Sequence, residues 1–425
     1  MYRSKLLRQF NESEVIKPLC YGIFVGAVAG TIAILYRYLI SLTDGVRRYV
    51  YGLEPLYLLF AFLIFIVIGT LAAKLLKWAP FSGGSGIPQI KAELEDKLEM
   101  NPERVIVSKL AGGSLLNIVG LSLGREGPSI QTGGMVGKLC GKIFKLKDED
   151  VKMLISAGAA AGLSAAFNAP IAGVMFCVEE LHKEVSHRIL VPTIAATTVA
   201  NSVSYLLMGN ARSFSFRVDE ILPLKYIWVA VLIGVATGVI GMLFNRGILK
   251  SQDVWNRANI SMETKMKILV SIGMFMGILF FPVTGGGHNL VESFAKGEYG
   301  IKILLAFLIL KLIYTVVAYG SGAQGGIFLP VLVLGAIVGS CIYHILDPNI
   351  FSIYLVNFII LGMVGILSAV VRAPILAIIL VLEMTGNFSV MLMLAVVSIV
   401  ALVTAELLNC PPIYDSLYDR IVSKL

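Results

Sequence analysis

The chain has 425 residues, of which 57% are apolar and 15% charged, against about 25% charged in soluble proteins. That balance excludes a string of soluble domains and leaves an integral membrane protein. The net charge of +8 shows no basic block outside the membrane pattern. Anionic lipid is therefore the expected partner, and nucleic acid is not.

Residues 1–17 are polar and carry Arg3, Lys5, Arg8 and Lys17, a lead-in expected on the cytoplasmic side. Stretches free of Asp, Glu, Lys and Arg then run 18–36, 55–73, 153–178, 189–211, 226–245, 268–291, 312–346, 348–371 and 384–405. Each suits a spanning helix of roughly 20 residues, and 312–346 has room for two short segments. Weaker candidates lie at 104–124 and 127–141. Continuous runs, rather than short alternating segments, argue against a β-barrel. The expected fold is an all-α polytopic membrane protein. The charged stretch 91–104, with helical spacing, reads as a solvated helix or loop, and 145–152 as a short hydrophilic connector. After Tyr414 a short segment carries Arg420 and Lys424, so a cytoplasmic C-terminus and a multi-pass cell-membrane location are expected.

Cys20, Cys140, Cys177, Cys341 and Cys410 show no metal-ligand spacing. With His182, His187, His288 and His344 the only histidines, no metal site is expected. Cys177 and Cys341 read as small packing residues.

The chain resembles itself at an offset of about 200. Leu163-Ser164-Ala165 matches Leu367-Ser368-Ala369, Ala169-Pro170-Ile171 matches Ala373-Pro374-Ile375, and Glu179 matches Glu383, all at 204. Gly124 and Pro128 match Gly326 and Pro330 at 202. One transport domain over 1–425 is expected. Its half-repeats span about 18–208 and 222–410, and a C-terminal segment covers 411–425.

Breaks rich in glycine and proline interrupt the apolar pattern at Gly83–Pro88, Gly124–Pro128, Asn168–Pro170 and Gly322–Pro330. Proline fits a helix's first turn, and glycine permits close backbone approach. Helices starting inside a membrane expose N–H groups and a partial positive charge to a medium without water. An anion satisfies both.

The segments GSGIP (Gly84 to Pro88), GREGP (Gly124 to Pro128) and GGIFLP (Gly325 to Pro330) look like the three signature motifs of the CLC family of anion channels and proton-coupled anion antiporters. FNAPIAGVMFCVEE (Phe167 to Glu180) and PIY (Pro412 to Tyr414) also fit. The resemblance covers nearly the whole chain. It implies a CLC-type fold with two inverted repeats, whose broken helices meet at a midplane anion site. It also implies a homodimer with one pore per subunit, chloride and protons as cargo, and no cofactor.

By that resemblance Ser85, flanked by Gly84 and Gly86, donates its hydroxyl to a central chloride. Tyr414 closes the cytoplasmic side, and the N–H groups of Ile327 and Phe328 complete the shell. On local grounds Ser85 is equally an N-cap, and Tyr414 an interfacial aromatic. Glu126, a carboxylate in an apolar region, is functional by default. Its structural alternative is an ion pair with Arg125, and the resemblance makes it the gating glutamate. Glu180 is either a wet helix end or, by resemblance, the internal proton-transfer glutamate of the antiporters. Glu179 anchors its helix, Glu383 is matched with Arg372, and Lys109 tunes the field. Gln89, where many members have Glu, is expected at a helix surface. Asn168 replaces a common Gly.

The expected activity is exchange of chloride for protons, with a passive channel as the alternative. Gly83-Gly84-Ser85-Gly86 also fits the GxSG pattern of rhomboid-type proteases. A serine nucleophile needs a histidine base, and His344 is the only histidine deep in the apolar pattern. The other motifs stay unexplained under that reading, so no catalytic residue is assigned.

Overall fold

The computed structural model describes residues 12–425 except 210–212, 215, 217, 219 and 347. Arg3, Lys5 and Arg8, and positions 210–211 of the fourth apolar stretch, lie outside the described residues. The described secondary structure is helical throughout, with two isolated backbone bridges and no strand.

The first half comprises α1 (Glu12–Tyr51), α2 (Pro55–Trp78), α3 (Ile87–Leu94), α4 (Pro102–Val119), α5 (Glu126–Ile143), α6 (Asp148–Phe167), α7 (Pro170–Met175, continued by a π-helical turn Phe176–His182) and α8 (His187–Met208). The second comprises α9 (Ile227–Arg257), α10 (Met262–Leu279), α11 (His288–Ala295), α12 (Ile301–Gly320), α13 (Phe328–Ile345), α14 (Leu355–Val371), α15 (Pro374–Thr385) and α16 (Met391–Leu407). The amphipathic α17 (Ile413–Val422) follows. Among the described residues, eight helical stretches are long and apolar enough to cross a membrane. The chain is a multi-pass membrane protein.

Several apolar stretches are not single spans. The 153–178 stretch breaks at Asn168, whose φ of 55° ends α6 before Pro170 opens α7. The 312–346 stretch divides into α12 and α13, as its length allowed. The 268–291 stretch stops at Leu279 and turns through Gly285 and Gly287 before α11. Conversely, the weak candidates 104–124 and 127–141 are full helices, α4 and α5. Hydropathy underrates them because their polar residues are satisfied inside the protein: α5 is buried over most of its length.

Glycine lets the central helices touch backbone to backbone, as small residues do in membranes. A Cβ on Gly133 of α5 would stand 2.2 Å from Gly158 O of α6. In the second half a Cβ on Gly335 of α13 would stand 2.3 Å from Gly362 O of α14. One packing solution is thus used twice.

The segment 91–104 is not wholly solvated. Lys91 to Leu94 belong to α3, where Glu93 is buried, receives the Met100 N–H at 2.7 Å and pairs with buried Lys138. Gln89 is buried rather than at the surface: its Nε2 donates to Gly83 O at 2.9 Å, bracing the turn before the helix. Cys177 and Cys341 are buried and free.

Candidate functional site

Three of the four glycine-proline breaks meet. Gly124 and Gly326 exchange backbone hydrogen bonds of 2.7 Å in both directions. Gly84 N donates to Ala323 O at 3.0 Å, and Gly325 N to Gly84 O at 3.2 Å. Segments far apart in sequence are thereby stitched at the starts of α3, α5 and α13. Gly86 stands at φ 89°, a left-handed conformation that a side chain would strain. The fully buried Lys109 donates to Gly84 O, holding the same turn from α4.

Ser85 is fully buried at the start of α3. Its Oγ accepts a long 3.4 Å bond from Ile87 N, a weak version of the capping role. Its closer partner is a residue that the motif reading missed: Tyr319, at the end of α12, donates from Oη to Ser85 Oγ at 3.2 Å. Ser85 N in turn donates to that Oη at 3.4 Å. Because Tyr319 fills an acceptor position of the serine, the serine proton is free to point elsewhere.

Tyr414, on α17, is 1% exposed, and its Oη has no hydrogen-bond partner among the described residues. It is no interfacial aromatic. Its ring stacks on Phe328, centroids 5.9 Å apart, and Phe328 meets Phe167 edge-on at 6.3 Å. Ile327 is the N-cap and Phe328 the first residue of α13, so their N–H groups have no intrahelical acceptor. Ser85, Tyr319, Tyr414 and the start of α13 bring hydroxyls and free amides together without a full positive charge from any of them. Such a shell holds an anion and also lets it go.

Glu126 is 1% exposed at the first position of α5. The N–H groups of Arg125, Glu126 and Leu329 bear on its carboxylate, which therefore lies against the opening turn of α13 as an anion would. A Cβ on Gly124 would stand 2.3 Å from Glu126 Oε2, so the glycine of GREGP makes room for this carboxyl. Arg125 Nε is 3.8 Å from Oε1. That is an ion pair by distance but beyond hydrogen-bond length, and Oε2 has no hydrogen-bond partner among the described residues. The bridge to Arg125 does not saturate the carboxylate.

Glu180 is 4% exposed in the π-helical turn that ends α7. It is not a wet helix end. π-turns cluster at functional sites. The charges bearing on Glu180 are Asp415, Lys183, Lys91 and Glu179. Tyr414 lies within electrostatic reach of both Glu180 and Glu126. Asp415, beside Tyr414, accepts from Lys91 of α3 at 2.7 Å and from Lys183 after α7 at 2.5 Å. Burial raises the Asp415 pKa, but the hydrogen bonds from Lys183 and Lys91 outweigh it and the net direction is down.

One expected pairing changes. Glu383 does not meet Arg372. It accepts the N–H groups of Ile171 and Ala172, while Arg372 pairs with Glu406 at 2.6 Å. A carboxylate at a free helix N-terminus is better placed than one beside a guanidinium that already has a partner. His344 lies near the end of α13 and is not among the hydrogen-bond partners of Ser85, so the serine has no imidazole base there.

Broken helices meeting around a buried anion-type shell, with two buried carboxylates beside it, define a polytopic membrane transport protein. The chain belongs to the voltage gated chloride channel family, whose description matches residues 66–406. A slow cyanobacterial Cl⁻/H⁺ antiporter of known structure is 33% identical, with 97% of this chain and 98% of that chain covered and a TM-score of 0.88. A CLC-type fluoride/proton antiporter (21% identity, 95% and 97% covered, TM-score 0.76) has the same fold. So has a eukaryotic CLC transporter (16% identity, 95% and 74% covered, TM-score 0.78).

Proposed function

We propose that this transport protein exchanges chloride for protons, as a secondary active transporter and not an enzyme. The observation that carries the reading is the pair of buried carboxylates, Glu126 and Glu180, both within electrostatic reach of the buried Tyr414. In a membrane interior such groups are costly and mark proton relays.

Chloride binds among Ser85 Oγ, the Tyr414 phenol and the N–H groups of Ile327 and Phe328, with Gly84 and Gly86 forming the turn that presents Ser85. Ionised Glu126 competes for the same helix ends. Protonated, it loses that attraction and leaves. Proton and anion therefore exclude each other at one place, which is the basis of coupling. Glu180 delivers the proton from the side where Asp415, Lys183 and Lys91 gather. The two halves, about 18–208 and 222–410, act as inverted units around this site, with 411–425 closing it. Two copies form a homodimer with a pore in each, in a cell membrane with both termini cytoplasmic.

Purified protein in liposomes under a chloride gradient is the test. Uphill proton movement driven by chloride is expected. Chloride flow without it means a passive channel instead.

A further inference from the structure

A second feature lies on the other approach to Glu126. A cavity of about 510 Å³ is lined by Arg37, Arg47, Arg48 and Arg125, against the carboxylates Asp44 and Glu126. Ser85, Tyr414 and Glu180 do not line it. His288 borders it too, and burial followed by the nearby Arg125 pushes its pKa down, so the arginines supply the positive field.

Asp44 is spent on Arg47, at 3.0 Å. Arg37 has no carboxylate within ion-pair distance among the described residues, and its Nη1 is buried without a hydrogen-bond partner. The Nε atoms of Arg47 and Arg125 are buried and make no hydrogen bond among the described residues either, Arg125 Nε having only the 3.8 Å ion pair to Glu126. Leaving such donors unmade is expensive. A guanidinium offers its N–H groups as a planar fork matched to two oxygens of one anion. A spherical chloride meets the fork with one atom instead of two oxygens, and the volume far exceeds what one chloride needs.

The cavity also takes in the opening turn of α11. Gly285 and Gly287 stand at φ 65° and 95°, the geometry of Gly84 (63°) and Gly86 (89°) before α3. Buried Lys311 donates to Gly285 O at 2.7 Å, as Lys109 does to Gly84 O. The device that presents Ser85 to the central site is thus repeated in the second half, where Gly286 and Gly287 line the cavity beside Asn289.

We propose that this cavity is a binding site for an oxyanion, a carboxylate or sulfate, separate from the central chloride site and able to obstruct Glu126 from outside it. Arg37 and Arg125 supply forks, and the start of α11 supplies amides. The obstruction rests on Glu126 being the gate, whereas the binding does not.

The probes are sulfate and succinate, titrated calorimetrically into the purified full-length protein. Both are expected to bind. Arg37→Gln is expected to weaken them by about tenfold, the scale of one charge-assisted fork, and to leave chloride binding unchanged. Arg37→Lys, keeping charge without the fork, is expected to fall between. A Cβ on Gly45, at the cavity wall, meets nothing within 4 Å. Gly45→Tyr therefore fills the cavity from a second position and is expected to abolish binding even where Arg37→Gln does not fold. In liposomes, sulfate at one face is expected to slow chloride flux. Absence of binding to the wild type, or undiminished binding to both Arg37→Gln and Gly45→Tyr, overturns the site. A protein that binds sulfate this way yet moves no protons keeps the site and rejects the exchanger.

Discussion

Glu179 and Glu383 each cap the helix on which the other stands. Glu179, at the end of α7, accepts the N–H groups of Ile375 (3.2 Å) and Leu376 (2.6 Å) at the start of α15. Glu383, at the end of α15, accepts those of Ile171 (3.1 Å) and Ala172 (2.7 Å) at the start of α7. Every member of this pattern recurs at the offset of 204. Two helices that cap each other must run antiparallel, so the internal repeat carries a local two-fold relation into the structure. Beside Glu179 sits Glu180, whose turn is held by the same contact.

The reciprocal caps predict matched losses. Glu179→Ala and Glu383→Ala are each expected to cost about 1–3 kcal/mol, the scale of a hydrogen-bonded charge left unmade. Thermal melting in detergent checks this. A neutral result at one mate and a large one at the other contradicts the equivalence.

Glu126→Gln removes the competing charge and keeps the shape. Chloride flux in liposomes is expected to persist while proton coupling disappears. Retained coupling removes Glu126 from the gating role.

Glu180→Gln is expected to abolish proton movement and spare chloride binding measured by calorimetry. Proton flux at the wild-type rate rejects Glu180 as the internal carrier.

Tyr319→Phe takes the donor away from Ser85 Oγ. The net worth of one neutral hydrogen bond is about 1 kcal/mol, so chloride affinity is expected to fall about fivefold. Ser85→Ala combined with Tyr319→Phe is expected to lose little more than Ser85→Ala alone, since the tyrosine acts through the serine. Additive losses in that cycle indicate that Tyr319 contacts the anion directly.

Asp415 ties α17 to α3 and to the end of α7 through Lys91 and Lys183. Its lowered pKa means that the unfolded aspartate binds protons more readily than the folded one. The stabilisation is therefore complete above the ordinary aspartate pKa and lost as pH falls through the depressed value. Asp415→Asn is expected to lower the melting temperature at neutral pH and to flatten its decline in acid. An unchanged acid profile means that the bridge does not carry the effect.

The sequence by itself determined the membrane class, most helix positions, the three glycine-proline motifs and the two carboxylates. These rest on local quantities: hydropathy over a span, φ freedom at glycine, proline at a first turn, and the rarity of charge in apolar surroundings. Which groups meet was decided by the tertiary structure. Tyr319 looks like any aromatic at the end of an apolar helix until the fold sets it against Ser85, 234 residues earlier in the chain. Glu383 was free on paper to take Arg372, yet a free helix start across the two-fold offered two N–H groups and Arg372 had Glu406. The helices α4 and α5 stood out only weakly in the apolar pattern because burial inside protein, not contact with lipid, satisfies their polar groups. Partner choice depends on where separate segments converge, and that follows from packing the whole chain at once.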